Sequence, residues 1–114
     1  MKINLNSADC LIMAALTCLL LMTGCYRQDV MTMEIEISQM RHAECSRIII
    51  NALQNVEGIK YVDPDMELRI LTVSYDSRTL ALKNIEYIIA EAGFTANDWE
   101  AEMSKRMRLP SQCQ

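Results

Sequence analysis

Two side chains that can bind a soft metal ion, His42 and Cys45, lie three residues apart in the stretch Met40-Arg41-His42-Ala43-Glu44-Cys45. An imidazole suits copper and zinc, and a thiolate selects soft or borderline ions. Their types and spacing would allow a soft-metal site in this stretch. The residues alone favour the alternative that Cys45, which begins the apolar face of a helix, is a small buried hydrophobic residue, and that His42 is a solvated loop residue.

Hydrophobic periodicity places this stretch between a strand and a helix. Residues 31–37 alternate apolar and polar, which predicts a half-buried strand. Residues 45–56 are apolar at every third or fourth position, which predicts an amphipathic helix, and Gly58 is typical of its C-terminal end. His42 and Cys45 are thus expected where a loop leads into a helix N-terminus.

The remaining elements follow from the same patterns. We expect a short strand over 59–62, a central strand over 68–75, a second helix that ends at Gly93, and a last strand over 94–98. Asp76 to Thr79 are expected to cap the second helix. Both helices would pack on one face of a four-stranded antiparallel sheet. This arrangement is an α+β, ferredoxin-like βαββαβ sandwich, followed by a short C-terminal helix and tail over 99–114. Trp99, Met103 and Met107 recur at every fourth position and predict that this helix spans 99–107.

Residues 1–24 have the apolar run of a signal peptide, which is too short to span a membrane. The run ends in Leu21-Met22-Thr23-Gly24-Cys25, which resembles a bacterial lipobox, so Cys25 is the predicted lipid-bearing residue. Residues 25–30 would then tether the domain. These features predict a lipid-anchored protein of the bacterial cell envelope that faces the periplasm. The alternative is a short anchor with a cysteine present by chance.

The chain contains five cysteines. Cys10 and Cys18 lie in the predicted signal peptide, and Cys25 would carry the lipid. Cys45 and Cys113 remain as thiols, and in an oxidising compartment two remaining thiols can pair. A disulfide therefore competes with metal binding.

Charge and residue types exclude two classes of function. The 114-residue chain has a formal net charge of −4, and acids outnumber bases in the segment 34–102. An acidic domain offers no surface suited to the phosphates of a nucleic acid. With one histidine, no Ser/His/Asp arrangement and no Gly-rich phosphate motif, the chain is predicted not to be an enzyme.

Several motifs resemble those of the heavy-metal-associated domain family, which includes small copper chaperones and metal-ATPase modules. The family's first loop reads Met-x-Cys-x-x-Cys and leads into a helix that ends in Gly-Val. The matching residues here are Met40 to Cys45, Gly58-Ile59, Val73-Ser74-Tyr75-Asp76 and Ala92-Gly93-Phe94. The resemblance covers residues 31–98. It also implies an edge position for the second strand, where Pro64 is tolerated.

The resemblance implies a metal site with a changed ligand set. The family's first metal cysteine is His42 here, so only Cys45 matches a family ligand directly. The implied topology also allows the tail to return toward this loop and bring Cys113 beside Cys45. Three alternatives follow: a three-ligand site of His42, Cys45 and Cys113, a Cys45–Cys113 disulfide, or a free thiol on a frayed tail.

The expected function is binding or delivery of a heavy metal by ligand exchange. Copper(I) is the favoured ion, and zinc or mercury(II) also fit the ligand types. The resemblance implies a metal-donor or metal-acceptor partner, such as a metal-transporting ATPase or an efflux component. The alternative is a metal-free protein-interaction module on the same fold, or a domain stapled by the disulfide.

Overall fold

The structure is a computed structural model that describes residues 6–21 and 29–114. The predicted lipid-bearing Cys25, its lipobox residues 22–24 and residues 25–28 of the tether lie outside the described residues, as do residues 1–5. Helix α1, Ser7–Leu21, falls within the predicted signal peptide, and all its side chains are exposed. In the two described stretches, no helix combines the length and apolar character needed to cross a membrane.

From the first strand to the helix that follows the third strand, the order of elements agrees with the prediction. The chain then ends in a short helix and a single 3-10 turn. The elements are β1 Val30–Glu36, α2 Ala43–Leu53, β2 Ile59–Asp65, β3 Ile70–Asp76, α3 Leu82–Glu91, α4 Met103–Arg106 and the 3-10 turn Ser111–Cys113.

The described sheet has three antiparallel strands in the order β1-β3-β2. The predicted central position of β3 is therefore confirmed, and its alternate residues Leu71, Val73 and Tyr75 are buried. Strand β2 lies at an edge, which confirms the position inferred from Pro64, a residue that cannot donate to a ladder. The α+β sandwich architecture follows from this sheet and the two helices on it.

The core lies between the sheet and the helices α2 and α3. The predicted helix faces are confirmed: Ile49 and Leu53 of α2 are fully buried, as are Ile85 and Ile89 of α3. They pack in one cluster with sheet residues such as Leu71. Complete burial of each such aliphatic side chain contributes about 1.5–3 kcal/mol. One shared cluster places both helices on the same face of the sheet.

The predicted fourth strand over residues 94–98 does not form in the described structure, so this part of the fold prediction is corrected. Asn97 has a φ of 51°, in the left-handed region, and Ala96 pairs with Trp99 in an isolated bridge. The chain therefore reverses here and cannot continue a ladder along β1. One link to β1 remains, because the Asn97 N–H donates to the Glu36 carbonyl at 2.9 Å and its Oδ1 accepts the Glu36 N–H at 2.9 Å.

Two further local predictions are corrected. Helix α4 is limited to Met103–Arg106, shorter than the predicted 99–107. Ala81, and no residue of the segment 76–79, is the N-cap of α3, and the Asn84 side chain accepts the Ala81 N–H at 3.1 Å. Asp76 instead accepts the Arg78 N–H at 2.9 Å. Its carboxylate therefore closes the turn before the helix.

Candidate functional site

The loop between β1 and α2 folds inward before the helix begins. Ile37 is fully buried, and its N–H donates to the Arg69 carbonyl at 2.9 Å. The N–H of Met40 then donates to the Ile37 carbonyl at 3.1 Å, and the Met40 side chain is also fully buried. Met40 therefore anchors this loop in the core, next to the two candidate ligands.

His42 is the N-cap residue of α2, so the loop leads into the helix at the predicted place. Its backbone is extended, and its carbonyl accepts the N–H groups of Cys45 at 3.0 Å and Ser46 at 3.2 Å. Its side chain makes no capping hydrogen bond and is exposed. The imidazole is therefore accessible to a ligand or a partner at the surface.

Cys45 and Cys113 form a disulfide with a Cα–Cα distance of 5.5 Å across a sequence separation of 68 residues. Both residues are fully buried. The tail thus returns to Cys45, as two of the three alternatives require, and the alternative of a frayed tail with a free thiol is wrong. A disulfide sulfur is not a thiolate, so neither cysteine can act as a thiolate ligand in this state.

The three-ligand set of His42, Cys45 and Cys113 stays a prediction. In the part of the chain that the structure describes, no group of three or more His, Cys, Asp or Glu side chains is arranged to hold a metal ion. Any site built from these residues therefore needs the disulfide to be reduced first. The chemistry of this loop depends on its redox state.

Gln39 is a buried polar residue that connects three segments, and its role was not predicted from the sequence. Its Nε2 donates to the carbonyls of Gly93 at 3.2 Å and Cys113 at 2.9 Å. Its Oε1 accepts the Thr95 N–H at 2.7 Å. No hydrophobic pattern marks a polar residue of this kind, because its partners lie more than 50 positions away in the chain.

The tail is held over the loop by further contacts. Leu109 is buried against Gly93, and the Gln112 side chain hydrogen-bonds the Glu44 carboxylate on the first turn of α2. The Gln114 side chain donates back to the Leu109 carbonyl at 2.9 Å. These contacts lie on both sides of Cys113, so its position does not depend on the disulfide alone.

Charged groups support the same packing. Lys105 of α4 pairs with Glu91 at the end of α3, and this hydrogen bond raises the pKa of the Lys105 ammonium above its usual value. Glu86 is almost fully buried, where it pairs with Lys83 at 2.9 Å and accepts a hydrogen bond from the Asn97 amide at 3.2 Å. The two carboxylates thus connect α3 to the segment after Gly93.

Solved structures with the same fold include metal-handling proteins. The oxidized MerP from Ralstonia metallidurans CH34 is 24% identical, with a TM-score of 0.57, over 60% of this chain and 94% of that one. A copper binding domain from HMA7, a P-type ATPase, is 26% identical with a TM-score of 0.55, over 58% and 89% of the two chains.

A third structure is the N-terminal domain of a potential copper-translocating P-type ATPase from Bacillus subtilis. It is 20% identical with a TM-score of 0.57, over 60% of this chain and 85% of that one. No protein-family model matches the sequence, and no curated protein matches it. The described domain has the α+β architecture of these small metal-handling domains. More particularly, its fold is like that of heavy-metal-associated domains.

Proposed function

We propose that this protein binds or delivers a heavy metal and is not an enzyme. One observation carries the proposal: the Met40–Cys45 stretch leads from β1 into the first turn of α2, in a fold shared with a copper binding domain. In the family that the sequence resembles, this loop holds the metal. The exposed His42 imidazole at the start of α2 supports the same role, because it can bind an ion without disturbing the core.

The proposed ligands are His42, Cys45 and Cys113 in the reduced protein. Reduction of the Cys45–Cys113 disulfide to two thiols would be coupled to oxidation of a dithiol reductant to its own disulfide, so the electrons balance. Two thiolates and one imidazole form a donor set suited to copper(I), and zinc or mercury(II) would also fit it. Delivery would proceed by ligand exchange with a metal-transporting ATPase or an efflux component.

We place this domain outside the cytoplasm, on a lipid anchor. The proposed organisation is a lipoprotein signal peptide at 1–24, lipidated Cys25, a tether at 25–30, the domain at 31–98 and the helix and tail at 99–114. The exposed apolar side chains of α1, together with the lipobox-like sequence, support it. A lipid chain would anchor the domain at the periplasmic surface of the cell envelope.

Metal titration of the full chain in oxidised and reduced form tests the proposal. The reduced wild type is expected to bind copper(I) tightly, and His42→Ala, Cys45→Ser and Cys113→Ser are each expected to weaken binding more than about tenfold. Titrated as the unprocessed full chain, Cys18→Ser is the matched control for a thiol outside the site. Equal affinity in the wild type and the Cys45→Ser and His42→Ala double variant would contradict the proposal.

A second candidate is a metal-free protein-interaction module, and the buried disulfide favours it. On this alternative the bond only fixes the tail, and partner capture is indifferent to chelators and to Cys45→Ser. Metal content of protein purified under reducing conditions separates the two candidates. Stoichiometric metal that is lost in Cys113→Ser supports delivery, whereas metal-free protein with unchanged partner capture supports the module.

A further inference from the structure

A polar hollow beside the disulfide, with His42 on its rim, has features of a binding site for a ligand other than a metal ion. Its volume is about 590 Å³. Three segments line it: the β1–α2 loop with Arg41, the segment 95–100, and the tail with Arg106 and Ser111. Because the walls come from distant parts of the chain, a ligand in the hollow would contact all three segments at once.

The hydrogen bonding of the Arg106 guanidinium is the main evidence that the hollow binds a ligand. One of its terminal nitrogens, Nη2, donates to the Thr95 hydroxyl at 3.0 Å. Its Nε is buried and has no acceptor among the described residues. A buried donor without a partner is unfavourable, and an oxyanion that accepts from a guanidinium removes that deficit. Guanidinium groups also match carboxylate and phosphate oxygens through two parallel hydrogen bonds.

Arg41 adds a second cation at the same hollow. Its Nε donates to the Ser38 carbonyl at 3.4 Å, so the side chain stays beside the loop. In the described part of the chain, neither Arg41 nor Arg106 forms an ion pair with a carboxylate. Glu100 is the one acid among the lining residues. Among the lining side chains there are thus two arginines and one carboxylate, on a chain whose net charge is −4.

We infer that this hollow binds an oxyanion, either a phosphate or a carboxylate group. The hydroxyls of Ser38 and Ser111 line the same space and can donate to further ligand oxygens. Because the protein as a whole repels anions, binding there would depend on the local arginines and would not reflect general attraction. The same chemistry fits a free phosphate, a small carboxylate or a phospholipid headgroup at the anchoring membrane.

The test uses the oxidised full chain without metal, so its outcome is independent of the metal proposal. Inorganic phosphate, succinate and vesicles containing phosphatidylglycerol are titrated in parallel, with calorimetry and melting temperature as the readouts. Saturable binding of at least one probe is expected, with a higher melting temperature because the ligand binds the folded state. The probe that binds identifies the source of the oxyanion.

Variants distinguish a built site from surface charge. Arg106→Gln and Arg41→Gln are each expected to weaken binding by about tenfold or more, as loss of a charge-assisted hydrogen bond requires. Arg108→Gln removes the same charge from an exposed tail residue outside the lining and is expected to leave binding unchanged. If Arg106→Gln loosens the tail, the affinity of Arg41→Gln for the probe is the deciding measurement. No saturable binding, or an equal loss in Arg108→Gln, would overturn the inference.

Discussion

Gly93 and Lys105 meet so closely that a Cβ on Gly93 would lie 2.7 Å from the Lys105 carbonyl oxygen. Gly93 also has a φ of +102°, a conformation that L side chains rarely adopt. The residue that ends α3 therefore also lets α4 dock on that end. The docking directs the tail back toward the loop, where Cys113 meets Cys45.

Gly93→Ala is expected to lower the free energy of unfolding by about 1–3 kcal/mol and to loosen the tail, because both the backbone conformation and the close contact become strained. Urea denaturation measures the first effect, and the rate at which a dithiol reduces the Cys45–Cys113 bond measures the second. Gly58→Ala, at a φ of +97°, is the matched control for backbone strain. Equal reduction rates in the two variants would contradict the docking role of Gly93.

Cys113→Ser is expected to cost about 2–4 kcal/mol of stability, because the disulfide closes a long loop and restricts the unfolded chain. Urea denaturation of oxidised wild type, reduced wild type and the variant measures the loss. Ser111→Ala, in the same 3-10 turn, controls for changes in the tail itself. The reduced wild type and Cys113→Ser should unfold at similar urea concentrations; a variant as stable as the oxidised protein would show that the bond stabilises nothing.

Gln39→Leu is expected to destabilise the domain by roughly 2–4 kcal/mol, because it leaves buried backbone groups of Gly93, Thr95 and Cys113 without their partner. Hydrogen exchange should show faster exchange at the Thr95 amide in particular. The exposed Gln54→Leu on the end of α2 makes the same chemical change outside the core. Similar losses in the two variants would mean that the Gln39 bonds contribute little.

Asp76 is expected to make stability depend on pH at the acidic end of the range. The Arg78 backbone N–H, followed by the Arg78 charge, holds the pKa of the Asp76 carboxyl below its usual value despite some opposing desolvation. A pKa that is lower in the folded state adds stability above the unfolded pKa of about 3.9, and this stability is lost as pH falls through the folded value.

Asp76→Asn should therefore flatten the dependence of stability on pH below about 4, with little change in shape above it. Urea midpoints from pH 2 to 7 provide the measurement. Asp63→Asn, an exposed acid on β2, removes the same charge away from this turn. A curve for Asp76→Asn that runs parallel to the wild type would contradict the prediction.

Much of the frame could be predicted because burial leaves a periodic trace in the chain. Alternation marked β1, spacing of three and four marked α2 and α3, and a proline identified the edge strand β2. The prediction of a fourth strand was wrong because Asn97 adopts a left-handed conformation that residue type alone does not specify. The C-terminal helix was predicted, but its limits were wrong: it spans only Met103–Arg106, where the chain packs against Gly93.

Sequence alone determined which faces are apolar and in what order strands and helices follow, because these properties depend on residues a few positions apart. It also marked Cys45 and Cys113 as thiols that could meet. Only the tertiary structure decided that they pair, and only there does Gln39 find its three partners. Contacts between residues 54 to 74 positions apart depend on how the whole tail packs, and no local pattern records that packing.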